Sequence, residues 1–397
     1  MKKLFFTAFL ALLVVGAYAQ KKTLKSANKA LNKKEYATAI DLATQASSNA
    51  ETEKNPQVYV ILGTAHLYQF IGDKSVIAEA QSSYDFFQKA IELGDEKLKS
   101  KIMEEVLLNN EQERLGGGEG LMYLQSMLNI QGNIHFEAGE YDKSYEYFKL
   151  SSDIVPDDIV MAFYTGYSAY GGELDNELVI KYYNRVLELN KALPEDQKFE
   201  NANFAYNGLI DVYFARMEDF DTALKYIKEA KEAYPEEKLY KDYEIDVLIK
   251  AEKMDEAING LKDVVASGDA TESTFYTLAY LQWNNENFDD ALVSADEALK
   301  INPTYYDALY VAGSVHFNQA AEKLKEANNT NDNDEYAKLL AEAKDKFKLA
   351  MPYFEKAIVE KPEDMYSLNP LSTIYDQLDM DDKRDAILAK IDEIEGK

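Results

Sequence analysis

Cysteine is absent from the 397 residues, which excludes disulfides, thiolate metal sites, a cysteine nucleophile and lipid attachment through cysteine. Positive charge is scarce: 43 Lys and Arg stand against 71 Asp and Glu, for a net charge of −28. A surface of this sign repels a phosphate backbone, so no nucleic acid is expected as a partner. No apolar stretch is long. The best, Leu4 to Val15, falls short of the ~18 residues that spanning a bilayer requires. Lys2 and Lys3 precede it, and Gly16 with the small-x-small triplet Ala17-Tyr18-Ala19 follows it before Gln20. That order is n-region, h-region and cleavage site. Residues 1–19 are therefore expected to be a cleavable signal peptide, the mature chain to carry no transmembrane span, and the protein to work in the periplasm or cell envelope.

What is present is apolar and periodic. The chain is 46% hydrophobic, 12% aromatic and 29% charged, enough to bury a large core and too apolar for disorder. From Met217 to Pro303 four columns recur every 34 residues: Phe220/Met254/Phe288, Ala223/Ala257/Ala291, Ile227/Leu261/Ala295 and Ala230/Val264/Ala298. Within a unit the second and fourth columns are small residues at i and i+7, one helical face that lets a second helix approach closely. The pattern predicts an all-α solenoid of helical hairpins, a form that grows linearly with length.

In order along the chain, a lysine-rich start (Lys21 to Lys34) reads as the solvated face of a first helix, followed by Tyr36, Ala39, Ala43 and Ala46. A second hairpin runs from Tyr59 to Ala90. A further helix is expected over 95–113, with Leu98, Ile102, Val106 and Leu107 on one face. It is broken by the glycines of 114–120, a candidate hinge. These glycines are followed by no Lys-Ser/Thr and preceded by no strand, so they do not read as a nucleotide loop. Then comes Gly132-Asn-Ile-His135 through Ser144, Phe148 and Pro156. These residues occupy the G, A, F and P places of the pattern W-x₂-L-G-x₂-Y…A-x₃-F…P. The chain thus resembles the tetratricopeptide repeat family, with His135 and Gln131 as departures. The resemblance implies a right-handed superhelix of about eight or nine hairpins. Residues 20–113 are the N-terminal hairpins, 121–362 the main array and 363–397 a capping hairpin. Ala320, Leu324 and Ala327, then Leu339, Leu340, Ala343, Phe347 and Ala350, predict that the insertion at 319–350 is a projecting helical hairpin.

Chemistry is hard to find. His66, His135 and His316 each lie three residues after a glycine, at one repeat-equivalent place, and read as packing residues. The Asn328 to Glu335 run lacks the glycine and ligand spacing of a calcium loop. No catalytic residue, metal site or cofactor is expected, and the protein is not expected to be an enzyme. The informative signal is aromatic. Phe163, Tyr167 and Tyr170 fall at i, i+4 and i+7, as do Tyr276, Tyr280 and Trp283, while Tyr310 and Phe317 repeat the outer two places. In the resembling family those offsets line a concave groove, with Asn129 and Asn133 at further groove places. Ser273, Thr277 and Asp307 stand where a carboxylate clamp would need basic residues. The function implied is a scaffold of the cell envelope that binds a protein or peptide segment in an aromatic groove. The alternative is binding of an envelope glycan, since such rings also stack on sugars.

Overall fold

A computed structural model describes residues 22–103 and 120–396. The expected signal peptide, the glycines of 114–119, and Val106 and Leu107 lie outside the described residues. Every regular element among the described residues is helical. The chain divides into Met1–Asp219 and Phe220–Lys397.

The first unit opens with α1 (22–32) packed on α2 (Tyr36–Ser47), then α3 (Pro56–Gly72) on α4 (Ile77–Leu93). A short α5 (Glu96–Ile102) follows. The hairpins α6 (Leu121–Glu137)/α7 (Tyr141–Ile154) and α8 (Ile159–Gly171)/α9 (Asn176–Ala192) come next. The unit ends with α10 (Ala202–Asp211), continued by a π-helical turn at Val212–Arg216. The second unit holds α11 (Phe220–Ala233), α12 (Leu239–Lys250)/α13 (Met254–Ala266) and α14 (Glu272–Asn284)/α15 (Phe288–Ile301). It closes with α16 (Tyr306–Asn329)/α17 (Asn333–Glu360) and α18 (Met365–Gln377)/α19 (Asp381–Glu395).

Two physical devices set the hairpins. The first is small-against-large packing. A methyl built on Gly132 would lie 2.6 Å from the Phe148 ring, on Gly63 2.8 Å from Phe87, and on Gly313 3.0 Å from Phe354. Each glycine on a first helix is a socket for a ring on the second, and those rings are buried. In the strict repeats the small residues Ala223, Ala257, Ala291 and Ala298 stand on the second helices instead, and they are fully buried. The second device is the turn. Lys34, Glu173, Glu218, Glu252, Glu286 and Asp379 all have left-handed φ of 52 to 63°, and Gly139 has 73°. After most of them the next N–H reaches back five residues, as Lys253 N to Leu248 O at 2.9 Å, Asn287 N to Gln282 O at 2.8 Å and Met380 N to Tyr375 O at 2.8 Å. This bond closes the first helix with a Schellman motif and reverses the chain.

The 319–350 stretch does not leave the helices as a loop. It lengthens α16 and α17 to 24 and 28 residues, joined through 330–332. Ala320, Ala327, Leu339, Ala343, Phe347 and Ala350 are buried between them. Asp332 caps α17 by accepting from the backbone N–H of Asp334 and Glu335.

Candidate functional site

In the second unit the first helices α14, α16 and α18 place aromatic rings side by side. Tyr276 meets Tyr305 at 5.8 Å between centroids and Tyr280 at 6.1 Å. Tyr280 meets Trp283 and Trp283 meets Tyr310, both at 6.2 Å. Tyr310 stacks on Tyr306 at 6.4 Å with rings 15° apart. The columns follow from the repeat: Tyr276 and Tyr310 occupy one repeat position, Trp283 and Phe317 another. Four of these rings, Tyr276, Tyr280, Tyr306 and Tyr310, line an open cleft of about 340 Å³ together with Tyr366, and Trp283 packs behind Tyr280 and Tyr310. Tyr280 is 41% exposed and Tyr366 74%, a large apolar area left to solvent on rings.

Charge in the cleft is arranged around one lysine. Lys361, at the C-terminal end of α17, puts its ammonium 3.6 Å from the Tyr306 ring centroid. The same ammonium lies 3.7 Å from an Asp307 carboxylate oxygen. The Tyr306 hydroxyl donates to Asp364 Oδ2 at 2.6 Å. Burial raises the Tyr306 pKa well above the ordinary tyrosine value, and the Asp364 bond adds to it. Tyr276 is raised as well, first by burial and then by the Asp307 carboxylate. Both hydroxyls are therefore neutral donors at physiological pH, and the cleft carries two carboxylates against one ammonium.

The other expected site residues divide. Phe317 is half-buried against Phe347 and Phe354 at the root of the long hairpin. In the first unit Phe163 is a correction: only 6% exposed, it packs at 5.3 Å on Phe199 and 6.4 Å on Phe204, so it belongs to the core. Phe199 lies in the segment joining α9 to α10, and that segment covers the ring. Tyr167 packs on Phe136 and Tyr141. Tyr170 donates to Asp211 at 2.9 Å and lies under the Arg216 guanidinium, a tie within the fold. Asn129 accepts from Ser151, while Asn133 is exposed.

Tyr306, Lys361, Asp364 and Tyr366 were not anticipated. A signal was available for Tyr366, which falls in the repeat column of Ser273 and Asp307. Lys361 had none, since it follows the last turn of a second helix and reaches the cleft only through its long stem.

The histidines are separate. His66 and His135 each bond a carboxylate, Glu79 and Glu140, at 2.6 Å, and stack on Phe86 and Tyr147. His316 stacks on Tyr353, and burial lowers its pKa. Among the described residues no helix is long and apolar enough to cross a membrane.

The tetratricopeptide repeat family model matches residues 276–327, which span α14 to α16 and include most of the cleft rings. No curated protein matches the sequence. Among solved structures, the C-terminal part of a TPR repeat-containing protein from Cytophaga hutchinsonii is 14% identical, with 67% of this chain and 95% of that one covered at a TM-score of 0.48. The MamA protein is 20% identical, with 50% and 94% covered at a TM-score of 0.40. YrrB, described as a TPR protein with an unusual peptide-binding site, is 20% identical, with 56% and 96% covered at a TM-score of 0.38. Likeness at this level carries no residue roles across. The family match over 276–327, the recurring 34-residue columns and the left-handed turns that close the hairpins agree: this stretch of the chain is built of tetratricopeptide repeats.

Proposed function

We propose that this protein is a non-catalytic scaffold of the cell envelope, exported by cleavage near Gln20, that holds a segment of a partner protein against the tyrosine cleft of α14, α16 and α18. The observation that carries the reading is the exposure of Tyr280 and Tyr366 beside the half-buried Tyr276, Tyr306 and Tyr310. Rings left open to water beside fixed hydroxyls are what a binding anchor requires: apolar area on one side, hydrogen bonds on the other.

Capture from the protein's own envelope fraction tests it, with Tyr280→Ala and Tyr366→Ala beside the unaltered chain. Both variants are expected to fold, since both rings stand largely in solvent, and to lose the captured protein. Capture that survives both substitutions moves the site elsewhere. Capture that disappears when the fraction is treated with glycan hydrolases, and not with protease, replaces the partner protein by an envelope glycan. Mass spectrometry of the exported product is expected to find its first residue at or near Gln20, and a product retaining Lys2 overturns the export step.

A further inference from the structure

The partner's chemistry follows from what already occupies the cleft. Lys361 lays its ammonium over the Tyr306 ring at 3.6 Å, with Asp307 at 3.7 Å and Asp364 on the hydroxyl of the same ring. An ammonium between an aromatic face and a carboxylate is a cation seat. Beyond that seat the Tyr276, Tyr280, Tyr310 and Tyr366 rings offer further faces, and Lys361 supplies the single basic side chain of the lining against Asp307 and Asp364. Around it lies a chain of net charge −28. Such a field gathers cations and repels acidic segments.

We propose that the cleft takes a lysine or arginine side chain of the partner segment, and that Lys361 is a built-in occupant that the partner's cation must displace. The proposal rests on the reading of the cleft as the partner site and adds the charge of what enters it. Its physical content is a competition. The Tyr306 face holds one cation at a time, so removing the internal one raises affinity for an external one. A lysine elsewhere on the protein has no such effect, although its removal changes net charge equally.

The experiment uses the purified chain, a decapeptide alternating lysine and glycine, and its glutamate–glycine counterpart. Trp283 is the single tryptophan of the protein and touches both Tyr280 and Tyr310, so its emission reports occupancy directly. The lysine peptide is expected to shift that emission saturably and more weakly as salt rises, and the glutamate peptide to leave it unchanged. Lys361→Met is expected to tighten the lysine peptide by roughly two- to five-fold, the worth of one exposed cation–ring contact. Lys356→Met, on the same helix outside the cleft, is expected to leave affinity unchanged, and Tyr366→Ala to weaken it without any change of charge.

Three results overturn the proposal: equal binding of the two peptides, no tightening in Lys361→Met relative to Lys356→Met, or indifference to Tyr366→Ala. The last would mark adhesion to the acidic surface at large. Failure of the peptides while Tyr280→Ala still abolishes partner capture removes the cation seat and leaves the partner cleft standing. Failure of both removes the cleft.

Discussion

At the scale of single residues, the turns store strain that the sequence does not relieve. Glu218, Glu252 and Glu286 sit 34 residues apart and all adopt a left-handed φ, between 54 and 61°. There a side chain crowds the following carbonyl, at roughly 1–2 kcal/mol, while glycine does not. Glycine's larger freedom in the unfolded chain offsets part of this, roughly 0.5–1 kcal/mol. Glu286→Gly is therefore expected to stabilise the protein by about 0.5–1 kcal/mol, read as a higher urea midpoint. Glu297→Gly, inside α15, should lower it by about 1 kcal/mol, and equal shifts would refute the turn argument. The glycine sockets predict the reverse sign. Gly132→Ala drives a methyl to 2.6 Å from Phe148 and should cost about 1–3 kcal/mol. Phe148→Leu in the same chain should recover part of that loss, a coupling that a double-mutant cycle measures. These sockets were legible in part: Gly63, Gly132 and Gly313 mark one repeat-equivalent place, but their rings Phe87, Phe148 and Phe354 follow at unequal distances along the chain, so the pairing itself comes from the packing. Phe163 was not legible, since its cover, Phe199, comes from a segment outside the repeat, where periodicity carries no information.

At the scale of elements, each first helix has two faces with different fates, and spacing alone separates them incompletely. Tyr276 and Tyr310 share a column and both reach the cleft, whereas Tyr170 is tied to Asp211 and Arg216 by groups no pattern links to it. The long pair α16 and α17 is read more directly: two apolar stripes flank a run of turn formers, and the stripes are buried against each other. Its stability should be graded along its length. Asp332 holds two N–H groups at the start of α17, so Asp332→Ala should cost about 1 kcal/mol locally. Hydrogen exchange should show faster opening at 333–338 in that variant. Leu339 to Phe347 should remain protected, though less than Ala291 to Leu299 in the body of the array. Exchange of Leu339 to Phe347 at the rate of a free chain would remove the packed hairpin from the description.

At the scale of the whole molecule, an array built of tyrosines depends on their staying neutral. The chain has 29 tyrosines. Burial pushes Tyr182, Tyr183 and Tyr375 well above the ordinary tyrosine value, and a hydrogen bond to Glu355 adds to the rise at Tyr375. Tyr306 is raised in the same way, and Tyr353 is pushed up to about 12, by burial and by Asp296. A tyrosine whose folded pKa exceeds its unfolded one binds its proton more tightly in the folded chain. The stability it contributes is then fully present below about pH 10, the unfolded value, and is lost as pH rises through the folded one. Five such groups lie in both units, so the loss is expected to be cooperative above pH 10 rather than a slow fraying. Absorbance at 295 nm, followed with far-ultraviolet circular dichroism, checks this. A first part of the absorbance change should come near pH 10, the ordinary tyrosine value, with helicity intact. The buried set should ionise only together with the loss of helix, and on a return to neutral pH both signals should recover in step. Complete ionisation of all tyrosines near pH 10 with the helices still formed would mean that these hydroxyls are not held out of water, and with that the packing described for α9, α17 and α18 would fail.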